Sequence, residues 1–319
     1  MLLILFALIY TSDFMLQASG IYAQEISLSI APPLIKTTIK PGKSILIGYK
    51  LQNQGDPTIL TSYVTKIVPI GNDGGLKIES GPTDPIMFEL DNADLKLKQP
   101  YLLHSDKIQQ LLLRIKVPAE TPEGDYYFTL LTETKPNQMD SDLTTSTKAT
   151  IGSNILLTVT KSGKTDINGK IILFDVIPRF KLPILGNVFD STDQIPVRLI
   201  INNTGHNIIV PEGKISLIGN FGEKASFDII PKNILTNSQR LMEATTSAQL
   251  KHKAGTTMII NGFFVGRYNL ISEVNFGAGT QIHFSQANFT ALPIKLTAGL
   301  ITIVSIIWFV LSQYKKQTS

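Results

Sequence analysis

Residues 124–132 read GDYYFTLLT, and the alternation in this stretch decides the fold class. Tyr126, Phe128, Leu130 and Thr132 recur with period two, the spacing of a β-strand that buries one face. Comparable rows of alternating apolar residues occur at 45–51, 111–117, 197–201, 215–217 and 227–229. No long helical period precedes residue 296. The chain is therefore predicted to be built mainly from β-strands.

Turn-forming residues separate the alternating rows. They include Gly55-Asp56-Pro57, Asn72-Asp73-Gly74-Gly75 and Pro122-Glu123-Gly124. Short strands divided by such turns are typical of a β-sandwich or barrel.

Three short pieces of sequence occur twice, in the same order. Asn53-Gln54-Gly55 matches Asn203-Thr204-Gly205, residues 102–108 resemble 234–241, and Gly124-Asp125-Tyr126 matches Gly266-Arg267-Tyr268. The Asn-x-Gly piece is predicted to need a positive φ where the chain leaves a strand. The Gly-x-Tyr piece resembles the tyrosine corner of immunoglobulin-like sandwiches, in which the phenol bonds a nearby backbone group.

The repeated order predicts an all-β chain with two tandem Ig-like β-sandwich domains. We place the domains at 24–160 and 166–291, with residues 161–164 as the linker. Each has roughly 130 residues, enough to bury a core. The 319-residue chain has no Cys, so these cores are expected to hold without disulfides.

The two ends of the chain are apolar. Residues 1–23 are predicted to be a signal peptide cut after Ala23, the alternative being an uncleaved anchor helix. Residues 296–313 carry no charge and are predicted to form a transmembrane helix. Trp308 lies towards its far end, and Lys315 and Lys316 follow in a tail at 314–319. Because Lys prefers the cytoplasmic side, the domains are expected outside and the tail inside.

The charge pattern argues against nucleic acid as a partner. The chain has 29 basic and 25 acidic residues, and setting aside Asp13, Lys295, Lys315 and Lys316 leaves the region between the ends at a net charge of about +2. This region contains no basic run that could neutralise a phosphate backbone.

Signatures of catalysis or cofactor binding are missing from the sequence. Without Cys there is no thiolate metal site or cysteine nucleophile. The four His are scattered, and no nucleophile-elbow, zinc-protease or phosphate-loop motif occurs. We expect no catalytic, metal or cofactor-binding residues. The carboxylates Asp73, Asp140 and Asp142 are interpreted as parts of solvated loops.

Surface contacts remain as the candidate interactions. An unpaired edge strand could accept a strand from a partner. The pairs Tyr126-Tyr127 and Phe263-Phe264, if they lie in strands, would each point one ring into the core and one outward.

The sequence resembles Gram-positive WxL-associated cell-surface proteins. The resemblance rests on Ile30-Ala31-Pro32-Pro33 and residues 122–127 in the first half. In the second half it rests on Asn233-Ile234-Leu235, Ser238-x-Arg240 and Gly266-x-Tyr268. It implies tandem Ig-like domains that bind peptidoglycan or a protein partner without catalysis, ahead of one membrane helix. It identifies no binding residues.

These observations predict a non-enzymatic, membrane-anchored surface protein that binds a cell-wall polymer or another surface protein. The alternative is an accessory subunit of a membrane-bound secretion or pilus-like assembly. An enzyme with a carboxylate site carried on loops is a third possibility, and it would need acidic pairs that meet in space.

Overall fold

The computed structural model describes residues 25–135, 148–178, 180–245, 255–277 and 279–317. The predicted signal peptide and the acidic residues Asp140 and Asp142 lie outside these ranges. The described chain consists of β-strands followed by one C-terminal helix, so the prediction of a β-rich chain with an apolar C-terminal helix is confirmed.

The strands of the first half are β1 (Leu28–Ala31), β2 (Leu34–Ile39), β3 (Ser44–Asn53), β4 (Thr58–Ile70), β5 (Gly75–Glu79), β6 (Met87–Leu90), β7 (Pro100–Leu103), β8 (Lys107–Lys116), β9 (Gly124–Thr134) and β10 (Thr150–Val159). Those of the second half are β11 (Gly169–Val176), β12 (Phe180–Leu182), β13 (Gly186–Asp190), β14 (Ile195–Asn203), β15 (Glu212–Gly219), β16 (Lys224–Ile230), β17 (Gln239–Leu241), β18 (Glu243–Ala244), β19 (Met258–Ile260), β20 (Gly266–Asn275) and β21 (His283–Leu292). The helix α1 spans Ile294–Gln317.

The first half forms two sheets. Sheet 1 has the strand order β1-β3-β8-β6, and sheet 2 has the order β2-β10-β9-β4-β5, with β7 also paired to β4. Inward side chains of both sheets share one hydrophobic core, which includes Tyr49, Leu113 and Phe128. β2 runs parallel to β10, and the other pairs are antiparallel.

The second half forms two further sheets around a separate core. Sheet 3 has the order β11-β14-β17, with β19 also on β14, and sheet 4 has the order β12-β13-β21-β20-β15-β16-β18. Val197, Leu199 and Phe289 belong to this core. β14 is buried at every second residue along its whole length, as its sequence alternation predicts. As in the first half, an early strand, here β13, runs parallel to the last strand, β21.

The two Asn-x-Gly turns are built alike. The amide Nδ2 of Asn53 donates to the carbonyl oxygens of Asp56 (2.8 Å) and Leu103 (3.3 Å), while its Oδ1 accepts from Gly55 N. The amide of Asn203 donates to Asn207 O and Ile234 O, both at 2.9 Å, while its Oδ1 accepts from Gly205 N. Both Asn side chains are buried. In each turn a single buried side chain therefore joins backbone groups from two separate segments.

The expected reason for glycine in these turns is wrong. Neither Gly55 nor Gly205 has a positive φ. Instead, the backbone approaches so closely that a Cβ on Gly55 would lie closer than 3.0 Å to Glu25 O, and one on Gly205 closer than 3.0 Å to Asp166 O. A close backbone contact, rather than a left-handed conformation, excludes a side chain there.

The middle repeat is aligned by structure more clearly than by sequence. Leu103 and Ile234 each supply the carbonyl that the buried Asn binds. Three residues later, Asp106 and Asn237 both adopt positive φ, at 56° and 55°. This alignment pairs Leu103 with Ile234 and continues without a gap to Ile108 and Gln239, which lie opposite Gln52 and Asn202. The one-residue insertion expected from the sequence is therefore wrong.

The helix α1 begins two residues before the predicted span and continues past its predicted end into the expected tail. Pro293 begins the helix by accepting a hydrogen bond from Thr297 N at 2.9 Å, a role that needs no N–H. Residues Ile294–Tyr314 are long and apolar enough to cross a membrane, and none of that stretch is buried against the sheets.

The junction between β21 and α1 is held by polar contacts. Lys295 N donates to Asp190 Oδ2 at 2.8 Å, and Lys295 Nζ lies 3.3 Å from Asp190 Oδ1 and 2.9 Å from Asp193 Oδ1. Hydrogen bonds from Lys295 N and the Thr192 hydroxyl lower the pKa of Asp190. We call these three residues, Asp190, Asp193 and Lys295, the junction clamp.

The aromatic pair Phe263-Phe264 is not in a strand, contrary to the expectation. It lies in the loop between β19 and β20. Phe264 folds back over Gly262, where a Cβ would lie 2.9 Å from its ring, and enters the core. Phe263 is exposed, so one ring of the pair enters the core and the other faces outward although neither lies in a strand.

Gly55→Ala and Gly205→Ala should each lower the free energy of unfolding by about 2–3 kcal/mol, because the new methyl group overlaps a carbonyl oxygen. Denaturant titration of the full chain in detergent measures this. Gly48→Ala is the matched control, since its Cβ would meet its nearest neighbour at an ordinary 3.4 Å. Equal losses in all three variants would contradict the close-approach explanation.

Candidate functional site

One carboxylate ties the two halves of the chain together. Asp125, at the start of β9, accepts hydrogen bonds from Asn207 Nδ2 at 2.8 Å and from Ile208 N at 2.5 Å, both in the second half. Within its own half it accepts from the Thr158 hydroxyl at 2.7 Å. A charged acceptor with several donors is among the stronger hydrogen-bonding arrangements.

An apolar patch surrounds this carboxylate. Leu156 from the first half packs with Ile208 and Leu235 from the second, and Tyr127 packs against them. The Tyr127 hydroxyl accepts from Thr236 N at 2.9 Å. Burial and the neighbouring Asp125 raise the pKa of Tyr127, so the phenol stays protonated in this contact. The halves therefore meet through both packing and hydrogen bonds.

Beside this contact lies an open cleft of about 230 Å³ between the outer face of sheet 2 and the loop that carries residues 233–240. Apolar side chains make up much of its wall: Leu34, Ile70, Leu76, Leu156, Ile234 and Leu235. The turn before β5 closes one side, where Leu241 N donates to Asn72 O at 2.5 Å. We call this feature the inter-sheet cleft.

Arg240 is the single charged residue among those described in the cleft wall. Its Nη1 donates to Asn233 O at 2.7 Å, and its guanidinium lies against Gly74. Its Nε has no hydrogen-bond partner within the described residues. This Nε is buried, so of the five donors of the guanidinium only those on the Nη atoms can serve an acceptor brought by a ligand.

The motif that carried the sequence resemblance in the second half forms part of this wall. Asn233, Ile234, Leu235, Ser238 and Arg240 all line the cleft. The segment braces itself, since the Ser238 hydroxyl donates to Leu235 O at 2.7 Å and Arg240 to Asn233 O. These bonds add to the bridge between Ile234 and Ile209 and to the pairing of β17 with β14, which hold the two ends of the segment.

One rim of the cleft is an unpaired strand edge. β5 pairs only with β4 among the described strands, and it ends sheet 2. Leu76 and Ile78 lie opposite Pro69 and Ile67, on the same face of the sheet, and both are exposed. A free edge presents backbone donors and acceptors in a row, next to apolar side chains at alternate positions.

The sequence-selected turn residues lie outside the cleft. Tyr126 Oη donates to Pro122 O at 3.0 Å, and Tyr268 Oη accepts from Val265 N at 3.3 Å. Gly124 and Gly266, which precede them, have φ of 145° and 97°. Asn53, Gly55, Asn203 and Gly205 lie in the two turns described above, and Trp308 is exposed on α1.

Asp125 was missed by sequence reasoning. It stands between two residues that the Gly-x-Tyr pattern selected, and its position at a strand start gave the only hint of a role. The second copy of the motif carries Arg267 there, so the repeat itself could not reveal the function of the carboxylate. Within the described ranges, no cluster of three or more His, Asp or Glu residues could hold a metal ion.

Comparison with known proteins gives similarity only at the level of three-dimensional structure. No protein-family model and no curated protein matches the chain. The class 5 fimbriae chaperone CfaA aligns with a TM-score of 0.38 and 13% identity, over 83% of this chain and 100% of its own. The CsuC–CsuE chaperone–tip adhesion subunit complex of Acinetobacter baumannii aligns with a TM-score of 0.34 and 10% identity, over 83% and 99%. The E. coli chaperone DraB aligns with a TM-score of 0.36 and 10% identity, over 82% and 96%. Scores this low assign neither function nor partner.

Asp125→Ala should loosen the contact between the halves, because it leaves Asn207 Nδ2 and Ile208 N without their acceptor. We expect faster tryptic cleavage at Lys161 and Lys164, both exposed between the halves. Asp94→Ala, which removes an exposed carboxylate from the first half, is the control. Cleavage at an unchanged rate in Asp125→Ala would show that the carboxylate does not hold the halves together.

Proposed function

We propose that this protein is a non-enzymatic, membrane-anchored binding protein that holds an extended segment of a partner protein in the inter-sheet cleft. Its two halves are proposed to be tandem Ig-like sandwiches at 24–160 and 166–291. The observation that carries the proposal is the free edge of β5 along the rim of an apolar cleft.

An extended polypeptide fits this geometry for two reasons. Its backbone could continue the ladder of sheet 2 by pairing with β5, while alternate side chains enter the apolar cleft beside Leu76 and Ile78. The Arg240 guanidinium could then bind a backbone carbonyl or a carboxylate of the same segment. Together these contacts combine the affinity of a strand ladder with recognition of side chains.

A protein partner suits the cleft better than a cell-wall polymer. Sugars present many hydroxyl groups, and leaving hydroxyls unpaired against an apolar surface is costly. Among the described lining residues, side-chain polar groups come only from Asn154, Asn233, Ser238, Gln239 and Arg240. Two of these, Ser238 and Arg240, already bond their own loop.

Two biological settings are compatible with this binding mode. One is the surface protein suggested by the resemblance to WxL-associated proteins, with another surface protein as its partner. The other is an accessory subunit of a secretion or pilus-like assembly, and it fits better because the partner in such an assembly is a protein subunit. Both settings place the two halves outside the cell, with α1 in the membrane.

A peptide-display experiment tests the cleft. The full chain in lipid nanodiscs should select extended apolar peptides from a phage library. Ile78→Lys should weaken their binding about tenfold, equal to ~1.4 kcal/mol. Ile108→Lys is the matched control, since Ile108 is an exposed isoleucine on β8, in the other sheet of the same half. Binding of purified cell wall that Ile78→Lys leaves unchanged, with no peptide selected, would overturn the proposal.

The topology can be tested independently because the chain has no Cys. A thiol reagent that does not cross membranes should label Asp94→Cys on intact cells, and it should label Gln317→Cys only after lysis. The positive-inside preference of Lys315 and Lys316 underlies this expectation. The reverse labelling pattern would invert the proposed orientation.

A further inference from the structure

The end of the second half from which α1 emerges carries exposed aromatic side chains. β21 runs towards α1, so the strand ends next to Leu292 mark this end: Asp190 in β13, Gly266 in β20 and Gly219 in β15. The loops beyond these strand ends hold Phe221 and Phe263, which are 76% and 63% exposed.

The loops that carry the two rings are anchored by neighbouring residues. The Phe221 ring lies over Gly266, where a Cβ would be 3.4 Å from it, and Phe221 N donates to Glu223 Oε2 at 3.0 Å. Phe264, which follows Phe263 in the chain, packs edge-on against Tyr268 with ring centroids 5.3 Å apart. This contact anchors the loop that carries Phe263. Both rings are therefore presented to the surroundings at the end from which α1 emerges.

The junction clamp reduces the charge that would keep this end away from lipid, since one ammonium against two carboxylates leaves a net charge of −1. Asp190 and Asp193 are nearly buried carboxylates, and Lys295 pairs with both. An unpaired carboxylate is costly at a membrane surface, whereas a paired one is much less so. The clamp also ties the first turn of α1 to the loop after β13, so the sandwich cannot swing freely on the helix.

We propose that Phe221 and Phe263 insert into the outer lipid interface and, with the junction clamp, dock the second half directly on the membrane. A lipid bilayer is the partner because α1 leaves the second half at this end and is unburied along its apolar stretch. A membrane that contains α1 would therefore lie next to Phe221 and Phe263. Aromatic and aliphatic side chains at the boundary of headgroups and acyl chains are a common means of peripheral membrane attachment. The inference rests on the proposed membrane anchoring by α1.

Single-tryptophan quenching tests the docking on the full chain. The protein has one Trp, Trp308, so Trp308→Phe gives a background without indole. Phe221→Trp and Phe263→Trp are then made in that background and reconstituted into phosphatidylcholine vesicles with or without bromine on the upper acyl chain. Each variant should lose about half of its emission in the brominated vesicles, as expected for an indole at the headgroup boundary.

Phe284→Trp is the matched control. Phe284 is 65% exposed, similar to Phe263, and lies near the opposite end of β21. Eight residues of strand separate it from Leu292, or about 27 Å, so its emission should be unchanged by bromine.

The unmodified chain separates the two possible failures. If Trp308 is quenched while Phe221→Trp and Phe263→Trp behave like Phe284→Trp, α1 enters the bilayer and the docking proposal is overturned. If Trp308 is not quenched either, the membrane anchoring fails and the docking fails with it. Quenching at positions 221, 263 and 308 but not at 284 supports both.

Discussion

The carboxylate of Asp125 is the contact on which the arrangement of the two halves depends. It is reached by donors from β10 and from the 203–209 segment, so one side chain sets how sheet 2 meets the second half. Together with the Tyr127–Thr236 and Leu241–Asn72 hydrogen bonds, this contact holds the 233–240 segment over the outer face of sheet 2 and so forms the inter-sheet cleft. Without these contacts, the same apolar residues would be an open sheet face and a separate segment. The proposed binding function therefore depends on a residue that touches no ligand.

The chain uses one structural plan twice and diverges where the halves have different tasks. The buried Asn, the closely approached Gly and the Gly-x-Tyr turn serve the same purpose in each half. The positions that flank the tyrosine differ: Asp125 and Tyr127 face the second half, whereas their counterparts Arg267 and Asn269 line a different surface pocket. A repeat thus preserves what folding requires and leaves the outward side chains free to change.

Local pattern was sufficient to predict most of the fold. Period-two alternation identified β3, β8, β9 and β14, because burial of one sheet face imposes that period directly. The apolar run identified α1, although the helix begins at Ile294 because Pro293 can accept the first hydrogen bond. The Asn-x-Gly turns were found for the wrong reason, since the contact that demands glycine comes from a segment about thirty to forty residues away in the chain. The cleft could not be predicted, because β5 and Arg240 meet only after two separately patterned halves pack together.

The position of β21 between β13 and β20 has a mechanical consequence. The chain enters the second half near Gly169 and leaves it at Ile294. Under the proposed function, a partner that pulls outward would place tension along β21, which leads into α1. A pull along the strand axis would load the hydrogen bonds of both neighbouring ladders together in shear instead of opening them one after another. The contacts of Lys295 with Asp190 and Asp193 lie at the point where that load passes into the helix. The same end of the molecule would then bear both the lipid contact and the tension.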